Sequence, residues 1–138
     1  MLEIVVTTTE REALVDITHQ VTAALRDADI TGDGVLHVFS AHTTAGITVN
    51  EGADPSVARD IITTLRRLVP RAGDYRHAEG NSDAHLKASL MGNHVAVPLV
   101  QGAPRLGTWQ SIYLAEFDGP RRRRVMLAVT VEASGGRS

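Results

Sequence analysis

Between His42 and Asp54 the chain gathers a histidine, an adjacent pair of threonines, an asparagine and two carboxylates: His42, Thr43, Thr44, Asn50, Glu51 and Asp54. His77 and Asn81 follow in a segment with two glycines, and His85 comes four residues after Asn81. Arg121 to Arg124 form a basic run behind Asp118-Gly119-Pro120. Imidazoles can shuttle protons or ligate a metal, carboxylates can hold a hard cation, and arginines match phosphate bidentately. By residue type alone, proton transfer, metal-assisted chemistry and phosphate binding all stay open.

Each candidate also has a plainer explanation. His42 follows a strand and can be a hydrogen-bonded loop residue, His77 an exposed loop side chain, His85 a solvated first-turn residue. His19, His37 and His94 lie in or beside regular elements and read as structural. With an open fourth position, His42, His77 and His85 would suit catalytic Zn²⁺. No His-x-x-x-His pair enforces their convergence, however. Glu51 and Asp54 would suit Mg²⁺ together with a substrate phosphate. Asp54 is equally a good helix cap. On a strand, Arg121 and Arg123 would share one face, and Arg122 and Arg124 the other. One pair can hold a phosphate, or the run is a charged edge that discourages aggregation. Gly107-Thr108-Trp109-Gln110 holds the only tryptophan, expected in the core or an interface. Thr108 and Gln110 would then face the other way, as ligand contacts or as partners for buried polar groups. No phosphate-binding Walker loop, dinucleotide Gly-x-Gly-x-x-Gly or Gly-x-Ser-x-Gly elbow is present.

These groups need elements to place them. Leu2 to Thr8 alternates with β-branched residues and predicts a strand; Ala13 to Ile17 predicts a second. Thr18 is expected to cap a helix from about His19 to Ala28. Val35 to Ser40 is apolar on both faces, so it reads as a central strand delivering His42. Ile47 to Glu51 reads as another strand. Asp54-Pro55 starts a helix whose buried stripe is Val57, Ile61, Leu65 and Leu68, ended by Pro70. Arg71 to Ser82 is the longest loop, and long loops in small domains often carry function. Ser82 or Asp83 caps a third helix reaching Met91, with Gly92 as its stop. The last third reads as strands: Asn93 to Val100, Gly107 to Phe117 and Arg122 to Ala133. Turns at Gln101–Pro104 and Asp118–Pro120 separate them, which suggests an antiparallel meander. Ser134 to Ser138 reads as a frayed tail.

The chain has 138 residues, a hydrophobic fraction of 43%, aromatic content of 4% and no cysteine. That length predicts one compact α+β domain over 1–138, a mixed or antiparallel sheet with about three helices and a strand-rich C-terminal third. Lack of cysteine excludes disulfides, thiolate catalysis and Cys-ligated zinc. The net charge of −2 argues against nucleic acid as a partner. No apolar run approaches the length a membrane helix needs. Met1-Leu2-Glu3-Ile4 has no basic region leading into an apolar core, so no signal peptide is expected and the default location is the cytoplasm.

Five segments, in order along nearly the whole chain, resemble the YjbQ-like family, described as secondary thiamine-phosphate synthases. They are His42-Thr43-Thr44-Ala45, Asn50-Glu51-Gly52-Ala53-Asp54-Pro55, Asn81-Ser82-Asp83-Ala84-His85-Leu86-Lys87-Ala88-Ser89, Gly107-Thr108-Trp109-Gln110 and Glu116-Phe117-Asp118-Gly119-Pro120-Arg121. No single segment would suffice; together they are specific. The arginine run is more basic than the pattern requires. The resemblance implies a compact α+β fold, a homotrimer and a polar cleft built from these motifs. It also implies formation of thiamine phosphate, as a primary or a secondary activity: a pyrimidine-methyl pyrophosphate joined to a thiazole phosphate with loss of pyrophosphate. The partner would thus be a small phosphorylated molecule, with Mg²⁺ or Zn²⁺ as candidate ions and no organic cofactor. In that reading Glu51 and Asp54 hold the metal or its waters, and Arg121 takes a phosphate. His42 and His85 donate to leaving oxygens or act as general acids. Asn50 and Asn81 orient substrate, with Thr43, Thr44, Thr108 and Gln110 as further contacts. Two other readings stand beside it. One is a metal-dependent hydrolase of a small phosphorylated or amide substrate using His42, His77 and His85. The other is a non-enzymatic trimer that binds a small metabolite.

Overall fold

Ile4 and Val6 are buried in the first strand while Glu3, Val5 and Thr7 face out, as the β-branched alternation requires. In the computed structural model, which describes residues 1–132, the elements run in this order. They are β1 (Leu2–Thr7), β2 (Ala13–Asp16), α1 (Thr18–Asp27), β3 (Gly34–Ser40), β4 (Ala45–Glu51), α2 (Pro55–Leu68), α3 (Ser82–Met91), β5 (His94–Val100), β6 (Ala103–Pro104), β7 (Gln110–Glu116) and β8 (Arg122–Val131). The tail from Ser134 to Ser138 lies outside the described residues.

The strands form a five-stranded sheet, ordered β1-β8-β3-β5-β6, and a three-stranded sheet, ordered β2-β7-β4. Every pairing is antiparallel. The described residues form a single α+β domain with three helices. Its main core draws Leu36, Val38 and Leu127 from the larger sheet, Ile47, Ile112 and Leu114 from the smaller, and Val21 and Leu25 from α1. Each such side chain, fully buried, contributes about 1.5–3 kcal/mol. A second cluster lies on the other face of β7, where Ala115 and Phe117 meet Ile62 of α2 and Ala84 and Ala88 of α3. β7 is thus buried on both faces, and α3 is held over the smaller sheet.

Several expectations change. The last three long strands do not form a meander: β7 and β8 lie in different sheets. Both edges of β7 are already taken, by β2 and β4, so the chain must cross at Asp118-Gly119-Pro120 to find a partner. Gly107 to Trp109 precede the strand as a turn closed by Gln110 N–H donating to Gly107 O at 3.1 Å. Trp109 is therefore no core residue and stays 65% exposed. Thr18 does not cap α1. It is the first helical residue, its hydroxyl donating to Asp16 Oδ1 at 2.7 Å. On α2 only Ile62 is buried; Val57, Ile61 and Leu65 are half-buried, and Leu68 is 69% exposed. Two local signals act as read. Asp54 caps α2, its carboxylate accepting Ser56 N–H at 2.9 Å. Gly92 ends α3 at φ 92. Among the described residues no helix is long and apolar enough to cross a membrane.

Candidate functional site

The loop from β3 to β4 is tied tightly. Ser40 Oγ donates to Ala45 O at 2.9 Å and accepts His42 N–H at 3.3 Å, so His42 and Thr43 project outward. The His42 ring is then fixed from β8: Nε2 accepts the backbone N–H of Arg124 at 2.8 Å. A neutral imidazole has one lone pair, so this bond places the proton on Nδ1. Partial burial, then the positive charges of Arg123, Arg124 and Arg121, hold the His42 pKa below its ordinary value against the opposing pull of Glu116.

α3 brings His85 and Asn81. It packs close because Gly46 of β4 has no side chain; a Cβ there would meet Gly92 O at 2.5 Å. The helix is also pinned by charge. Lys87 is fully buried and donates to Glu12 at 2.7 Å and Asp83 at 2.8 Å, while Arg11 and Arg66 neutralise the same carboxylates from outside. At the start of α3, Asn81 Nδ2 donates to Asp118 Oδ2 at 2.8 Å. Arg121 reaches the same oxygen at 3.1 Å and Asp118 O at 2.8 Å. Burial pushes the Asp118 carboxyl up, but Asn81 and Arg121 outweigh it and hold it below the usual range. Asn81 Oδ1 is buried without a partner among the described residues.

Two clefts open between these elements. The larger, of ≈ 560 Å³, is lined by His42, Thr43, Glu79, Asn81, His85 and Asp118, together with Arg121, Arg122 and Arg123. The smaller, of ≈ 470 Å³, is lined by Ala45, Ala88, Ser89, Gly92 and Asn93. His42, Thr43 and His85 line both. One space therefore sets three arginines beside two carboxylates and is rich in donors, the next is small-walled and uncharged, and two imidazoles line both.

The candidates divide accordingly. His42, Thr43, Asn81, His85 and Arg121 come together, with Thr44 buried beneath them. Asn50, Glu51, Asp54, Thr108 and Gln110 gather at the opposite end of β4. That seven-residue strand separates the two groups by about 20 Å within one subunit. There Glu51 pairs with Gln110 in register. Asn50 Oδ1 accepts Glu51 N–H, Glu51 accepts Ala53 N–H, and Gln110 accepts Gly107 N–H. Thr108 is exposed. His77 stands at the cleft margin, edge-on to His85 with ring centroids 5.2 Å apart. His37 and His94 stack on each other in the larger sheet, away from the clefts. Among the described residues, no three histidines or carboxylates form a group that could hold a metal ion. The set His42, His77, His85, Glu51 and Asp54 therefore does not assemble within one subunit.

The arginine run separates by side. Arg124 pairs outward with Glu3 at 2.9 Å, and Arg122 has no acidic partner among the described residues. Arg123 points inward, in phase with Val125 and Leu127, and pairs with buried Glu116 of the opposite sheet. Sequence reasoning gave no role to Glu116, Asp118 or Arg123 individually. The signal that could have found them was phase: Glu116 falls on the same face as Ile112 and Leu114, where a charge needs a buried partner.

The pattern described as UPF0047 protein YjbQ-like matches residues 2–132. UPF0047 protein MJ1081 of Methanocaldococcus jannaschii is 49% identical over 122 residues, covering 88% of each chain. UPF0047 protein YugU of Bacillus subtilis is 45% identical over 117 residues, 84% of this chain and 88% of that one. Among solved structures, an uncharacterized conserved protein of the YjbQ/UPF0047 family from Clostridium acetobutylicum superposes with a TM-score of 0.89 at 47% identity. It covers 94% of this chain and 100% of its own. The conserved hypothetical protein TT1486 from Thermus thermophilus gives 0.87 at 45% identity, with the same coverage. The chain belongs to the YjbQ-like UPF0047 family, as the five motifs anticipated.

Proposed function

We propose that this member of the YjbQ-like family uses its paired clefts for a thiamine-phosphate-synthase-like transfer. The observation that supports this is the junction: an arginine-lined cleft and an uncharged cleft share His42, Thr43 and His85. Such a layout suits two small molecules meeting at one reacting carbon. A thiazole nitrogen attacks the methylene of the pyrimidine-methyl pyrophosphate, a C–N bond forms, and the C–O electron pair leaves with pyrophosphate.

The reaction needs the departing charge stabilised more strongly as it develops. Arg121, Arg122 and Arg123, which line the larger cleft, supply that field. His42, neutral and protonated on Nδ1, donates a hydrogen bond to a leaving oxygen without first losing a proton. His85 makes no side-chain hydrogen bond among the described residues and stands ready as the second donor. Asn81, fixed on Asp118, orients the bound molecule. No step runs through Mg²⁺ or Zn²⁺, because Glu51 and Asp54 lie at the opposite end of β4 from His42 and His85. The homotrimer belongs to this proposal and is supported by exposed apolar side chains, among them Phe39, Leu68 and Leu90.

The test is thiamine phosphate formation from the two purified precursors with Mg²⁺, beside a His85→Ala control. Product from the wild type, falling about 100-fold or more in the variant, is the expected result. Trace product unaffected by the substitution would place the activity outside this cleft.

A further inference from the structure

Arg123 lines the larger cleft although only 2% of it is exposed. Its guanidinium is held on two sides. Nε donates to Glu116 Oε1 at 2.9 Å, and Nη2 donates to Glu116 Oε2, to Thr44 Oγ1 at 2.9 Å and to Thr44 O at 3.3 Å. Glu116 is itself fixed by Thr8 Oγ1 at 2.7 Å and Asp118 N–H at 3.0 Å. Nη1 has no partner among the described residues. Yet among those residues the only buried side-chain atom left without one is Asn81 Oδ1. Nη1 thus keeps some accessible surface, and Arg123 lines the larger cleft.

We propose that Arg123, rather than an exposed arginine of the run, is the residue that grips the anion, presenting Nη1 from the cleft floor. The ligand class is a phosphate or pyrophosphate group. A guanidinium already locked on three of its donors loses little freedom when the remaining two engage a ligand. Its exposed neighbours differ. Arg121 bonds Asp118, Arg124 bonds Glu3 on the outer face, and Arg122 must be immobilised on binding. His42 lines the same cleft with a donor on Nδ1, so two fixed donors face one space. Glu116 and Thr44 act through Arg123 as positioning residues.

This inference rests on the reading that the larger cleft receives the pyrophosphate end of the substrate. Its test is separable, because binding of inorganic pyrophosphate can be measured without turnover. Calorimetric titration of the whole protein compares wild type with Arg123→Lys, Thr44→Val and Arg124→Ala. Lysine keeps the charge against Glu116 but has no second arm for the cleft. Affinity should fall on the order of 10-fold or more in Arg123→Lys, given the strength of a hydrogen bond to a charged group. It should fall several-fold in Thr44→Val, which removes the hydroxyl bracing Nη2 and gives a reading even where Arg123→Lys does not fold, and fall least in Arg124→Ala, whose side chain pairs outward with Glu3. Equal affinity in a folded Arg123→Lys and in Thr44→Val, or no binding by the wild type, overturns the assignment. Arg123-dependent binding with no product retains it and removes the transferase reading. Product with Arg123-independent binding does the reverse.

Discussion

His42 Nε2 accepts the backbone N–H of Arg124 at 2.8 Å, so a strand of the larger sheet sets the proton of the cleft histidine. The peptide N–H can only donate, so protonating His42 would set two donors against each other. Burial and then Arg123 lower the His42 pKa further. As pH falls, the unfolded chain takes up this proton first. The contribution of neutral His42 to stability is therefore full above about 6.5 and is lost as pH drops towards the folded pKa. An NMR titration, with the ring signals identified by their loss in His42→Asn, should give a midpoint below 6.5. A higher midpoint would mean that the bond to Arg124 is not made in solution.

Glu116 and Arg123 form a buried pair between the sheets. Burial pushes the Glu116 carboxyl up, but hydrogen bonds from Arg123, Asp118 N–H and Thr8 hold it below the usual range. Glu116→Gln leaves a buried guanidinium uncompensated and should cost about 3–5 kcal/mol. Urea unfolding at neutral pH reads this directly. A loss under about 1 kcal/mol, the scale of an exposed pair, would show that water reaches the site.

Much of the fold is written locally. Val35 to Ser40 carries its own period, Asp54-Pro55 its own cap, and Gly92 its own stop, so each could be read from a few neighbours. The pairing of Glu116 with Arg123 depends on two sheets stacking and has no local signature beyond strand phase. The meander failed for the same reason: hairpin order is local, whereas the occupied edges of β7 are not. The candidate site was legible in kind but not in extent. His42, Asn81, His85 and Arg121 are brought together by α3 and β8. Glu51 and Asp54 lie at the far end of a strand whose own length already separated them from His42. Asp83 and Lys87 stood four residues apart on a helix, a spacing that places them on one face.

Lys87 holds α3, and with it His85, through Glu12 and Asp83. Burial raises both carboxyls, yet their bonds to Lys87, Arg66 and Arg11 win and leave them below the ordinary range. Their contribution to stability is thus present above the unfolded carboxyl pKa of about 4 and is lost as pH falls through the folded values. Lys87→Ala should cost about 3 kcal/mol or more at neutral pH and flatten the decline in urea midpoint between pH 7 and pH 3. An unchanged acid slope would exclude this network as its source.

Asp54 caps α2 through Ser56 N–H and Ser56 Oγ. Asp54→Ala should lower stability by about 1 kcal/mol, and Asp54→Asn, which caps as well, by almost nothing. Chemical denaturation of the two variants decides this; equal losses would mean that the charge, not the cap, is what matters.

A crystal structure of the protein soaked with thiamine phosphate, the product of the proposed transfer, locates the reaction most directly. The ligand should span both clefts, its heterocycles meeting beside His42 and His85 and its phosphate within reach of Arg121, Arg122 and Arg123. A ligand bound instead near Glu51 and Gln110, or crystals that stay empty at saturating concentration while the protein turns over, would contradict it.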